Sequence, residues 1–278
     1  LRATASAALV ATLPGCSMIE NMFFYPDRVT YTRPAQYRLT FEDVTFAVDG
    51  QRLHGWWLPA TTPSALGSVL HIHGNAANIS NHLPLVAWLP HAGFNVLMFD
   101  YRGFGQSEGK PTLAGIVDDA AGALAALRAR RDVDAQRLVV FGQSLGGATA
   151  LRLLAHDSAG VRLAIIDSAF DRYRTIAREA AMDSVVLAPL LPLALPLLPP
   201  EADDPITALA TIRVPLLFVH GTLDHVVRHA HSERLHAAAQ PPKQLLLAPG
   251  AVHMEALLRP DLQAQALQRM REAVGAPT

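Results

Sequence analysis

Short, unbroken apolar runs alternate along this chain with longer stretches whose apolar positions recur every three or four residues. The runs are Ser68 to Ile72, Phe94 to Phe99, Leu138 to Phe141, Leu163 to Ile166, Leu216 to Val219 and Gln244 to Leu247. Each is too short for a helix and apolar on consecutive positions, the pattern of a strand buried on both faces. Helical periodicity falls between them, near 80–92, 112–131, 145–157, 227–239 and 255–273. Strand and helix in alternation predict an α/β domain: a mostly parallel, doubly wound sheet with helices on both faces. Ahead of it, Tyr37 to Val48 and Gln51 to Leu58 are joined by Asp49-Gly50 and read as an antiparallel hairpin. Between Ile166 and Val214 the alternation lapses, and an insertion at about 171–210 is expected to form a cap.

Composition narrows the field. With 278 residues, half of them hydrophobic, the chain can bury one large core. A net charge of −1 and no basic run argue against nucleic acid. There is no glycine-rich phosphate cradle and no metal-ligand spacing, so neither a metal nor an organic cofactor is expected. Asp118 and Asp119 are read as part of an exposed helix face.

The chemistry begins at Gly142-Gln143-Ser144-Leu145-Gly146, directly after an apolar strand and directly before a helical stretch. Such a turn is tight enough that the residues two before and two after the serine crowd each other, so both must be small. It lifts the Ser144 hydroxyl out of the fold and sets the Leu145 N–H at a helix start. A serine needs a base, and the base an orienting acid. In this setting the expected chain order is serine, acid, histidine. Asp224 lies just past the strand ending at Val219, and His253 lies in the loop after the last strand. Asp167, ending the strand before it, is the rival acid. Loops at the carboxyl ends of parallel strands share one rim, so all of these would meet there. His225, His229 and His231 look like the solvated start of a helix. A second oxyanion donor is expected from the loop His73-Gly74-Asn75, with the Asn75 N–H facing substrate. His73 itself reads as a buried brace for that loop, and Arg102 as the partner of a carboxylate.

Five segments together resemble one superfamily. They are His73-Gly74-Asn75, Asp100-Tyr101-Arg102-Gly103-Phe104-Gly105-Gln106-Ser107, Gly142 to Gly147, Gly221-Thr222-Leu223-Asp224 and His253. In this order, over roughly residues 38 to 275, they resemble a serine-type α/β-hydrolase, of the branch holding serine-aminopeptidase-like and depalmitoylase-like enzymes. The resemblance implies a Ser144–Asp224–His253 triad with Asn75 and Leu145 as oxyanion donors. Eukaryotic depalmitoylating relatives carry an N-terminal cysteine cluster. This chain has a single cysteine, so protein depalmitoylation is not implied.

That cysteine, Cys16, follows a short apolar stretch, residues 7–13, and the small residue Gly15. The arrangement resembles a bacterial lipoprotein signal. Residues 1–16 are therefore expected as a signal peptide with Cys16 lipidated, 17–37 as a linker and 38–278 as the hydrolase domain. The product would sit in the bacterial cell envelope, lipid-anchored or else secreted to the periplasm. Residues 184–200 are apolar but broken by prolines, too interrupted to read as a membrane span. They suggest an apolar roof over the serine and hence an ester or thioester of a small-molecule or acyl substrate. A peptidase of the serine-aminopeptidase type and a non-catalytic envelope scaffold on the same fold are the alternatives.

Overall fold

The computed structural model describes residues 23–182 and 188–276. Cys16 and the signal-like segment lie outside them. Among the described residues there are ten strands: β1 (Tyr25–Pro26), β2 (Glu42–Val48), β3 (Gln51–Leu58), β4 (Gly67–Ile72), β5 (Ala76–Ala77), β6 (Phe94–Phe99), β7 (Leu138–Gln143), β8 (Val161–Asp167), β9 (Leu216–Gly221) and β10 (Lys243–Ala248). Eight of them form one sheet in the order β10-β9-β8-β7-β4-β6-β3-β2. The six strands of the alternating pattern run parallel, and β3 alone runs against them, bridging β6 and β2. The sheet is the mostly parallel, doubly wound one that the apolar runs predict, and the whole is the α/β-hydrolase fold that the motif resemblance implies. The hairpin starts at Glu42, later than expected, because Pro34–Tyr37 forms a 3-10 turn instead.

Helices α1 (Ile79–Val86), α2 (Trp88–His91), α3 (Gly115–Arg128) and α4 (Leu145–His156) follow β4, β6 and β7 in the expected places. The two faces of the sheet are covered separately. Val69, Val139, Phe141 and Ile165 pack under α1 and the last helix. Leu70, Val140, Ile166 and Phe218 face α3 and α4. Neighbouring residues of one strand thus enter opposite cores, which is why the strands show no polar alternation.

The cap begins with α5 (Tyr173–Met182) and continues in single turns, including α6 (Leu191–Ala194) and α7 (Pro205–Ala208). Pro189, Pro192, Pro196, Pro199 and Pro200 each remove a backbone donor, so no helix there exceeds one turn. Two further helices, α8 (Ala230–Ala238) and α9 (Pro260–Ala273), complete the chain. Among the described residues, no helix is long and apolar enough to cross a membrane.

Two expectations need correction. Within the stretch expected as a linker, residues 23–37 are packed onto the domain. Phe23 and Phe24 are buried, β1 pairs in parallel with β5, and the Tyr31 N–H donates to Ser80 Oγ at 3.0 Å. The phenyl rings of Phe23 and Phe24 are costly to leave in water and find Phe170, Tyr173 and Phe104. Asp119, expected on an exposed face, is fully buried and takes the Arg102 guanidinium and backbone N–H.

Candidate active site

The turn after β7 is built as its sequence requires. Ser144 has φ 53° and ψ −119°, a strained conformation for a residue with a side chain. A Cβ on Gly142 would lie 2.3 Å from the Gly146 carbonyl oxygen, and one on Gly146 would lie 2.0 Å from that of Ile72. Only glycine fits at either place. The Ser144 N–H donates to the Asp167 carbonyl at 2.8 Å, which pins the turn to β8. Leu145 opens α4, so its N–H has no partner within the helix and lies at the positive end of the helix dipole.

Asp224 and His253 meet at the same rim. The His253 Nδ1–H donates to Asp224 Oδ2 at 2.7 Å. The other carboxylate oxygen accepts the N–H groups of Val226 and Val227 at 2.9 and 2.8 Å. Burial would raise the Asp224 carboxyl. Hydrogen bonds from His220 and His253 outweigh it and hold the group well below the usual carboxylate range. The His253 loop is also tied to the serine. Ser144 bonds to the carbonyl of Asp167, and the next residue, Ser168, accepts the Met254 N–H at 3.1 Å. A dipeptide at the end of β8 therefore positions both loops.

Asp167, the rival acid, is engaged elsewhere. It accepts from Gln143 Nε2 at 2.9 Å and from Ser168 Oγ at 3.0 Å, and its burial raises its pKa. Gln143 in turn accepts from His71 Nε2 at 2.9 Å. This buried chain runs beneath Ser144 from β4 to β8. His73 braces its loop, with Nδ1 at 2.7 Å from the Gly74 carbonyl and its ring against Tyr101 and Phe104. His231, expected on a solvated face, is fully buried between Asp171 (2.6 Å) and Glu179 (3.0 Å). It links α8 to the base of the cap.

Sequence reading missed His220. It is buried in β9, four residues before Asp224, with Nε2 at 3.1 Å from Asp224 Oδ2 and 2.8 Å from the Val227 carbonyl. Both neighbours accept, so Nε2 carries the proton and Nδ1 accepts from the Ser232 hydroxyl at 2.7 Å. The signal was available as the one polar residue in an apolar strand run.

Above Ser144 opens a cavity of about 230 Å³. Ser144, Leu145 and Asn75 form its floor, and Phe23 and Tyr25 one wall. Ile176, Ala177 and Ala180 of α5 roof it, while Phe170, Val226 and Val227 close the rest. None of these lining residues is charged. A wider depression of about 590 Å³ lies at the amino ends of β9 and β10, beside Pro215, Pro242 and Arg269, away from the serine. No group of three or more His, Cys, Asp or Glu side chains among the described residues is disposed to hold a metal ion.

Comparison with known proteins agrees with this architecture. The model of the family described as serine aminopeptidase, S33, matches residues 63–208, more than half of the chain. The chain belongs to that family of α/β-hydrolases. Among its relatives, the uncharacterized protein YfhR of Escherichia coli (strain K12) is 43% identical over 242 residues, spanning 85% of this chain and 80% of its own. The α/β-hydrolase domain-containing protein WAV2 of Arabidopsis thaliana is 34% identical over 241 residues, 81% of this chain and 76% of its own. The solved esterase Pf2001 of Pyrococcus furiosus superposes with a TM-score of 0.73 at 21% identity, over 90% of this chain and 100% of that one. At that identity the likeness speaks to the fold alone.

Proposed function

We propose that this S33-family hydrolase cleaves esters or thioesters by acyl transfer through Ser144. His253 takes the Ser144 proton as the hydroxyl attacks the acyl carbon, and Asp224 holds the imidazole in the tautomer that can accept it. The N–H groups of Leu145 and Asn75 receive the developing oxyanion. His253 returns its proton to the leaving group, then activates water to release the acyl chain. The observation that carries the reading is the uncharged cavity opening onto Ser144 beside both candidate oxyanion donors. At the roughly 30 Å³ that a water-sized group occupies, it holds about seven or eight heavy atoms. A medium acyl chain would fill it, and a palmitoyl chain would run on through its open mouth.

The family's description favours a second reading, a peptidase that takes substrates with a free amino terminus. An ammonium group would need a carboxylate to receive it, and the cavity lining supplies none. Cys16 is proposed as a lipidated anchor that places the enzyme in the bacterial cell envelope, on the small-residue motif ahead of it. Loss of palmitate labelling in Cys16→Ser tests it, and labelling that survives the change refutes it.

The decisive experiment is hydrolysis of p-nitrophenyl esters from acetate to palmitate, wild type beside Ser144→Ala. Turnover that peaks near octanoate and vanishes in the variant supports both the nucleophile and the acyl site. A Ser144→Ala enzyme that still turns over refutes the nucleophile. A serine that labels with fluorophosphonate but hydrolyses no ester moves the peptidase reading to the front.

A further inference from the structure

Large hydrophobic side chains are exposed at eleven positions among the described residues, and seven of them stand on the cavity wall, on the loops that carry Asp224 and His253, or on the cap. Tyr25 and Val226 rise from the cavity's own walls, with Val226 65% exposed. Leu223 and Val252 stand on the loops that carry Asp224 and His253, joined by the hydrogen bond from the Leu223 N–H to the Ala251 carbonyl. Met182 ends α5, whose inner face roofs the cavity, and Leu193 and Leu197 follow on the outer side of the cap. Chance scatter would spread such residues over the whole surface. Carried by the wall of the Ser144 cavity, its catalytic loops and the cap, they mark an interaction face.

The path of the chain says what meets that face. The polypeptide enters the described fold at Phe23, on the cavity wall itself. Cys16 is seven residue steps earlier. At roughly 3.5 Å per extended residue, those steps reach at most about 24 Å. A globule of this size is roughly 45 Å across. A lipid on Cys16 could not be held in a bilayer with the cavity mouth turned away from it.

We propose that the apolar rim of the Ser144 cavity is a membrane-docking surface, held against the lipid bilayer by the segment that precedes Phe23. Side chains on the rim enter the headgroup layer in the manner of an interfacial anchor. A lipid anchor on a tether leaves the globule free to turn within the tether's reach, and the rim supplies the second contact that sets the cavity mouth on the bilayer. The consequence for substrate rests on the ester-hydrolase reading: acyl groups enter the cavity from the bilayer, carried by amphiphilic esters dissolved in it.

The test uses the full chain carrying Cys16→Ser, which cannot be acylated, sedimented with phosphatidylcholine vesicles. It is compared with the same chain bearing Met182→Glu, Leu193→Glu and Leu197→Glu, none of which lines the cavity. Docking predicts that the first protein sediments with vesicles and that the triple change lowers its partition about a hundredfold. Hydrolysis of soluble p-nitrophenyl acetate stays within about twofold and reports that the variant is folded. If acetate turnover is lost, Leu193→Glu alone serves, with about a tenfold fall expected. No sedimentation of the Cys16→Ser chain overturns the proposal. Equal sedimentation of the variant does so too, because binding would then come from the residues before Phe23. A rim that instead governs concentration-dependent self-association in ultracentrifugation would be a protein interface. Adding Ser144→Ala leaves vesicle binding intact, so failure of the hydrolase reading and failure of the docking surface can be told apart.

Discussion

Asp224 carries more than one partner, and its surroundings define what each residue contributes. Its Oδ1 is fixed by two backbone N–H groups, and its Oδ2 is shared between His253 and His220. Asp224→Asn keeps the shape but offers His253 an amide that can hold the wrong tautomer. It should lower kcat about 10⁴-fold with little change in KM. His220→Ala removes one donor and leaves the Ser232 hydroxyl without its acceptor, so kcat should fall about tenfold while KM stays put, with His220→Gln recovering part of the loss. Steady-state kinetics on a soluble ester decide it: KM rising with kcat unchanged would mean that His220 shapes the cavity and does not position Asp224. The sequence made some of these residues legible and others not, for a physical reason. Ser144, Asp224 and His253 each follow an apolar strand, and parallel strands deliver their carboxyl ends to one rim. His220 lies inside a strand, where composition says buried and nothing says why. Asp119 and His231 look solvated among their sequence neighbours, because the partners that bury them, Arg102 and Asp171, come from distant segments.

The elements around the cavity differ in how much their own sequence decides. β4 and β6 to β10 were readable because burial on both faces leaves an unbroken apolar run. The cap's short turns follow from prolines spaced every few residues. The N-terminal segment is not readable as structure, since two residues of β1 carry no periodicity and its place comes from distant partners: the rings around Phe23 and Phe24, and β5. Phe23 and Tyr25 make the segment part of the wall of the Ser144 cavity. Phe23→Ala removes a buried ring that packs on Phe170 and Tyr173 and walls the cavity. A loss of about 3 kcal/mol in unfolding free energy is expected, the lower end for a buried phenylalanine because the site is at the fold's edge. The KM for p-nitrophenyl octanoate should rise about tenfold while that for acetate changes little. Urea unfolding and paired kinetics check both parts, and equal effects on the two esters would mean that β1 does not line the acyl path.

At the scale of the whole molecule, the site is built over buried histidines, and this sets the pH range in which the enzyme survives. His71 is pushed down to about 3 and His82 to about 4 by burial, and His73 is held well below its ordinary value by burial and its histidine neighbours. All three are neutral in the fold, whereas in the unfolded chain each binds a proton below about pH 6.5. The unfolded state therefore takes up more protons as pH falls, and stability falls with it. From pH 7 to pH 5, His71 and His82 each cost about 2 kcal/mol, together about 4 kcal/mol against the roughly 5–15 kcal/mol that typically holds a domain, and His73 acts in the same direction. His54 works in the opposite sense. Burial disfavours its charge, but Asp100 and Asp43 outweigh burial and raise its pKa, so its contribution is present at low pH and lost as pH rises. The buried carboxyls of Asp100, Asp119 and Asp167, raised by burial, act in the same sense as His54 and temper the fall. Urea midpoints measured at pH 7, 6 and 5 should drop steeply between the last two. Ester turnover should be lost in parallel, because His71, His73 and the Asn75 loop leave the fold together. A midpoint that stays level to pH 5 would mean that the three histidines are protonated in place, and the loop beside Ser144 would then be wetter than its packing describes.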